Sequence, residues 1–133
     1  MPTMEEIKKV GRKIGEKYGL RLMLLYGSRA KGAAKKDSDI DIAVLGNSSL
    51  RLGDITGIIN DFMDALSVNE IDVKSLHKTN PLFRRQVVEG AILLYGEELD
   101  FAKFRGYAFR DYIESKSLFE LKEKMVKKQL EKL

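Results

Sequence analysis

The chain predicts an α/β (α+β) domain: a small mixed sheet flanked by helices, with one long helix at the C-terminal end. Three observations carry this. The runs LRLMLLY at 20–26 and IDIAVL at 40–45 are short, apolar and bounded by glycine or polar loops, as buried strands are. Segments near the N-terminus and around 52–66 repeat apolar residues at i, i+3 and i+4, as amphipathic helices do. Their alternation along the chain, helix, strand, helix, strand, helix, is that of a layered α/β domain.

Each element has a local cause. Thr3-Met4-Glu5-Glu6 fits a capping box, and Ile7, Val10, Ile14 and Tyr18 follow at helical spacing until Gly19. After the second strand, the turn Gly46-Asn47-Ser48-Ser49 precedes Leu52, Ile55, Ile58, Ile59, Phe62, Met63 and Leu66, the stripe of a second helix. EIDVKSL at 70–76 alternates as a strand, with Ile71, Val73 and Ser75 on one face and Asp72, Lys74 and Leu76 on the other. Asn80-Pro81 starts a third helix that runs to Gly90, and AILLY at 91–95 is a last short strand. From Glu98 onward one long helix is predicted, with Glu120–Lys124 and Glu123–Lys127 as favourable i, i+4 pairs. Six of the eleven aromatic residues fall in its first part: Phe101, Phe104, Tyr107, Phe109, Tyr112 and Phe119. The earlier ones are expected in the core and the segment beyond Tyr112 at a docking surface, because such a helix overruns a compact domain of this size. The expected division is a compact domain over 1–97 and a C-terminal helical extension over 98–133.

Composition narrows the function classes. The 133 residues suffice for one core and include no cysteine, which excludes a disulfide frame and a cysteine-ligated zinc site. No stretch reaches the roughly 20 apolar residues of a membrane span, and MPTMEEIKKV is not a signal-peptide core. A cytoplasmic location is expected. The net charge of +4 leans toward polyanionic partners such as nucleotides, but the charges interleave and no RNA motif accompanies them, so direct nucleic-acid binding is not expected.

The chemistry sits between the first two strands, in LLYGSRAKGAAKKDSDIDIAV. Residues i and i+2 of a strand project from one face, so Asp39 and Asp41 point together, and Asp72 joins them if the third strand lies beside the second. Carboxylates gathered at one sheet edge repel unless a cation is present, and all-oxygen donors suit Mg²⁺ or Mn²⁺. Magnesium completes its shell with water and phosphate, which implies a nucleoside triphosphate. Gly27 turns the chain off the strand and Ser28 offers a hydroxyl and an N–H toward phosphate. Gly32 keeps a side chain away from the triphosphate, and Arg29, Lys31, Lys35 and Lys36 surround it with positive charge. His77, the one histidine, reads as a surface loop residue, while Arg84 and Arg85 fit either a helix surface or a contact with nucleotide or partner.

Gly27-Ser28-x-x-x-Gly32, then Ser38-Asp39-x-Asp41, then a lone Asp72 on a later strand resembles the nucleotidyltransferase superfamily typified by polymerase beta. The short length, GSRAKG with SDIDIAV, and the later NPLFRRQVVEGAILLYG resemble its minimal branch, the MNT-type proteins, over about residues 4–100. Many of these are antitoxins paired with a small helical toxin of the HEPN type. The resemblance implies a nucleotidyltransferase fold in which Asp39, Asp41 and Asp72 are catalytic and hold two metal ions, Mg²⁺ or Mn²⁺. It implies that Gly27, Ser28, Arg29, Gly32 and Ser38 bind the nucleotide. The implied donor is ATP, and the implied acceptor is a tyrosine hydroxyl of a HEPN-type toxin, which becomes adenylylated and inactive. The alternatives are a non-catalytic antitoxin that neutralises the toxin by binding, and transfer to a small molecule or RNA. A homo-oligomer or hetero-oligomer formed through the C-terminal helix is expected.

Overall fold

The computed structural model describes residues 2–27, 30, 40–77 and 79–133. The first helix, α1 (Met4–Lys17), opens on Thr3, whose Oγ1 accepts the Glu6 N–H at 3.1 Å. The Thr3 hydroxyl donates to the Glu6 carboxylate at 3.2 Å, so Glu6 closes the cap on the side chain of Thr3, where a capping box uses the backbone N–H.

Four strands follow the predicted runs: β1 (Leu20–Tyr26), β2 (Ile40–Gly46), β3 (Ile71–Ser75) and β4 (Ile92–Tyr95), in the spatial order β3-β2-β1-β4. β1 is antiparallel to both β2 and β4, whereas β2 and β3 run parallel. A parallel pair needs a crossover, and α2 (Leu52–Leu66) supplies it. The Asp54 carboxylate accepts the Arg51 N–H at 3.0 Å at the start of α2.

Strand alternation divides the core in two. Met23, Leu25, Ile40, Ile42, Val44 and Val73 meet Ile7, Ile14, Ile58 and Phe62 from α1 and α2. On the other face Leu24, Ala43 and Leu76 meet Val87, Val88 and Ala108 from α3 (Pro81–Val88) and α4 (Glu98–Glu131). β1 is covered on both faces, which is why it reads as an unbroken apolar run. A Cβ on Gly15 would lie 2.2 Å from the Tyr95 ring, so α1 approaches β4 at a distance that only glycine permits. Asp61 ties α1 to α2 by accepting from Lys17 Nζ at 2.8 Å and from the Tyr18 hydroxyl at 2.9 Å, and the Lys17 hydrogen bond holds its carboxyl below the usual range.

α3 starts at Asn80, whose Oδ1 accepts the Phe83 N–H at 2.8 Å, with proline in the first turn. Its contact with α4 is built around Arg84. This guanidinium donates to Thr79 Oγ1 at 3.0 Å, to the Thr79 carbonyl, to the Tyr107 hydroxyl at 2.8 Å and to Asp111 at 3.1 Å. Arg84, which the sequence left open between surface and ligand, is a clamp between two helices. Arg85 lies 4.8 Å from the Tyr112 ring centroid and extends the same seam.

At 34 residues α4 is roughly 50 Å long. Phe101, Phe104, Ala108 and Phe109 pack on the second core. Further on, Leu118, Phe119, Leu121, Met125, Val126 and Leu130 are each more than half exposed. Among the described residues no helix is long and apolar enough to cross a membrane.

Arg84 is only 13% exposed and Asp111 27%, so their pairing escapes most solvent screening. Arg84→Ala is expected to cost about 2 kcal/mol, read from the urea midpoint at unchanged m-value. A loss below about 0.5 kcal/mol would show that the clamp holds nothing together.

Candidate active site

Three residues line up across three strands at one end of the sheet. Tyr26 on β1 is the register partner of Asp41 on β2, and Asp41 is the register partner of Asp72 on β3. Cross-strand partners share a face, so the phenol and both carboxylates project to the side that packs α3 and α4. Leu24 and Ala43, two residues further in on the same face, are buried beneath α3. The row therefore begins where the apolar floor ends.

The parallel pairing that Asp72 needed to reach the other carboxylate is present. Gly27 meets them from β1: its φ is +78°, and a Cβ there would lie 2.6 Å from Asp41 Oδ2. Both the left-handed backbone and the close carboxylate require glycine. Ser28, Arg29, Gly32, Ser38 and Asp39, with Lys31, Lys35 and Lys36, lie outside the described residues.

The electrostatics of the row are visible in Tyr26. Its phenol is pushed up to about 12, first by burial and then by the negative charges of Asp41 and Asp72. Asp72 also meets Lys74, whose Nζ lies 3.8 Å from its Oδ2. Phe83 of α3 stands beside both ends of the row: Lys74 Nζ is 5.5 Å from its ring centroid, and the Tyr26 and Phe83 rings make a T-shaped pair at 6.0 Å and 88°.

Two oxygen-donor carboxylates in register on one face, beside a glycine turn, fit a hard divalent cation. Asp41 and Asp72 are the described residues that would hold one. His77 does not join them. Its Nε2 accepts the Gly46 N–H at 2.9 Å, linking the chain after β3 to the end of β2. The sequence places it in a surface loop; in the structure it is half-buried and has a structural partner 31 residues away. Tyr26, Lys74 and Phe83 were not singled out from sequence. The signal for the first two was the period-two alternation that puts Tyr26 on the face of Leu24 and Lys74 on the face of Asp72.

Residues 5–100 match the family model described as polymerase beta, nucleotidyltransferase. The chain is similar to a Methanocaldococcus jannaschii protein named provisionally as a protein adenylyltransferase, at 31% identity over 71% of this chain and 100% of that one. It is similar to the protein adenylyltransferase MntA of Aphanizomenon flos-aquae, at 29% identity over 79% of this chain and 77% of that one. Its fold matches a chain of a crystallised toxin-antitoxin with AMP-PNP, with a TM-score of 0.76, 25% identity, and coverage of 92% of this chain and 98% of that one.

The raised Tyr26 pKa makes a signed prediction. The folded protein keeps the phenol protonated between about 10 and 12, while the unfolded chain releases the proton from 10 upward. This contribution is intact below pH 10 and is lost as pH rises through about 12. The phenolate difference absorbance of the unaltered chain minus Tyr26→Phe is expected to titrate near 12, and to move down in an Asp41→Asn background without reaching 10, because burial remains. Titration at 10 in the unaltered chain would contradict the crowding of the row.

Proposed function

The chain belongs to the polymerase beta nucleotidyltransferase family, and we propose that it is an MNT-type adenylyltransferase that moves AMP from ATP to a tyrosine hydroxyl of a HEPN-type helical toxin, acting as its antitoxin. The observation that carries this reading is the register that sets Asp41 beside Asp72, with the Gly27 turn against Asp41. A protein adenylyltransferase among its relatives and a toxin-antitoxin with AMP-PNP among its structural neighbours support it.

Asp39, Asp41 and Asp72 would hold Mg²⁺, for which Mn²⁺ is a chemical substitute; when bound, it neutralises charge on the triphosphate and on the departing pyrophosphate. The chain's own residues do the rest. Gly27 keeps the end of β1 low enough for the donor to approach Asp41. Ser28 and the Gly27 backbone hold the β and γ phosphates, Arg29, Gly32 and Ser38 complete the nucleotide site, and together they fix the α-phosphorus for in-line attack. Asp72, on the edge strand, takes the proton of the acceptor hydroxyl as its oxygen bonds to the α-phosphorus. The bridging oxygen to the β-phosphorus keeps the electron pair of the broken bond, and pyrophosphate leaves.

Residues 1–97 form the catalytic unit in this reading, and 98–133 the docking arm. The apolar residues of α4 support the second assignment. Phe101, Ala108 and Tyr112 lie on the same helical face as Phe119, Val126 and Leu130, following steps of seven, four, seven, seven and four residues. The early part of this stripe packs on the domain, while Phe119 is 63% and Leu130 62% exposed.

Two measurements test the proposal. The intact mass of the helical partner, co-expressed with this chain, is expected to increase by one or more AMP groups. With Asp39→Asn/Asp41→Asn the rate of transfer is expected to fall roughly 100-fold or more while the fold is kept. A partner that co-purifies without added AMP would turn the reading to neutralisation by binding alone. Separately, Phe119→Asp/Val126→Asp is expected to weaken partner binding about tenfold or more, read by calorimetry, with the melting temperature preserved. Unchanged affinity would remove α4 as the docking arm.

A further inference from the structure

The second-core face holds more chemistry beside Asp72 than proton acceptance needs. Lys74 follows two residues later on the same face of the edge strand, as the register partner of Ala43. Its ammonium is 3.8 Å from Asp72 Oδ2 and 5.5 Å from the centroid of the Phe83 ring. The same ring makes a T-shaped contact with Tyr26 at 6.0 Å, so one aromatic side chain of α3 spans from the β1 end of the carboxylate row to its β3 end. Phe83 is half-buried and its neighbour Leu82 is 47% exposed, so α3 keeps apolar surface open to solvent next to the ring.

We propose that Phe83 and Lys74 form the acceptor subsite, with Phe83 receiving the ring of the incoming tyrosine and Lys74 fixing the carboxylate that takes its proton. This rests on the adenylyltransferase reading above. An aromatic acceptor gains edge-on or offset contact with the Phe83 ring that an aliphatic hydroxyl cannot make. A phenol held there has its hydroxyl beside Asp72. The ion pair at Oδ2 restrains the Asp72 side chain, so that hydroxyl meets a carboxylate in one orientation. In the step itself the phenol oxygen bonds to the α-phosphorus and the bond to the bridging oxygen of pyrophosphate breaks. The phenolic proton passes to Asp72. Lys74 gives up no proton and is a positioning residue, and Phe83 is the specificity residue.

The test measures initial rates of adenylylation against concentration of the intact helical partner at saturating ATP, with the affinity for AMP-PNP and Mg²⁺ measured in parallel. Phe83→Leu is expected to raise the acceptor KM about tenfold and Lys74→Gln to lower kcat about tenfold, each with nucleotide affinity within about twofold of the unaltered chain. Lys74→Arg, which keeps a cation next to Asp72, is expected to recover most of that loss. Lys74 has a side chain 53% exposed, so its substitutions spare the core and report on the subsite even if Phe83→Leu loosens α3. A second arm uses a partner whose modified tyrosine is replaced by serine: the preference for tyrosine is expected to shrink in Phe83→Leu. An acceptor KM unchanged in Phe83→Leu together with a kcat unchanged in Lys74→Gln, while the unaltered chain transfers AMP, would overturn the subsite alone. Absence of any transfer by the unaltered chain would overturn the adenylyltransferase reading, and the subsite with it.

Discussion

The parallel register of β2 and β3 sets Asp41 directly opposite Asp72. Two carboxylates on adjacent strands repel each other, less what water removes from the exposed half of Asp72. A one-residue slip would relieve this and would also turn Ile71 and Val73 out of the core. The apolar set on the α1 and α2 face therefore locks the charged set on the other. Hydrophobic burial on one side of the sheet holds an electrostatically costly arrangement on the other, as expected where a protein prepares a place for a cation.

Other features of the molecule follow from that constraint. Gly27 is needed because Asp41 Oδ2 occupies the space a side chain would fill. Tyr26, beside the same charges, is kept neutral well above its ordinary range. Lys74 returns part of the missing positive charge at Asp72. The helices divide accordingly: α1 and α2 bury the face that fixes register, whereas α3 brings Phe83 to the functional row and is itself held on α4 by Arg84. The long C-terminal helix thus supports the site through α3 before it extends past the domain.

Much of this arrangement was readable in the chain, for physical reasons that differ by element. The runs 20–26 and 40–45 announced themselves as strands because both are covered on two faces, and α2 because its stripe is continuous. Asp72 was legible because the alternation from Glu70 to Lys74 placed it on the face opposite Ile71 and Val73, leaving only the pairing to be supplied by the fold. Arg84 and His77 were not legible. Their partners, Tyr107 and Asp111 for one and the Gly46 N–H for the other, lie 23, 27 and 31 residues away, and no local pattern encodes a hydrogen bond across that distance. Phe83 likewise gained its place only when α3 folded over the β1 end of the row. The phosphate-loop candidates Ser28, Arg29, Gly32, Ser38 and Asp39 lie outside the described residues, so their assignment rests on motif spacing.

The most direct test of the central claim is paramagnetic: Mn²⁺ is titrated into the isotopically labelled chain and the broadening of each backbone amide is followed by NMR. If Asp41 and Asp72 frame one cation site against Gly27, the amides of Gly27, Asp41 and Asp72 lose intensity first, while those of Tyr95 and Asp61 keep theirs. Broadening centred on Asp61 or on the acidic residues of α4, with Asp41 and Asp72 spared, would contradict the account at its base.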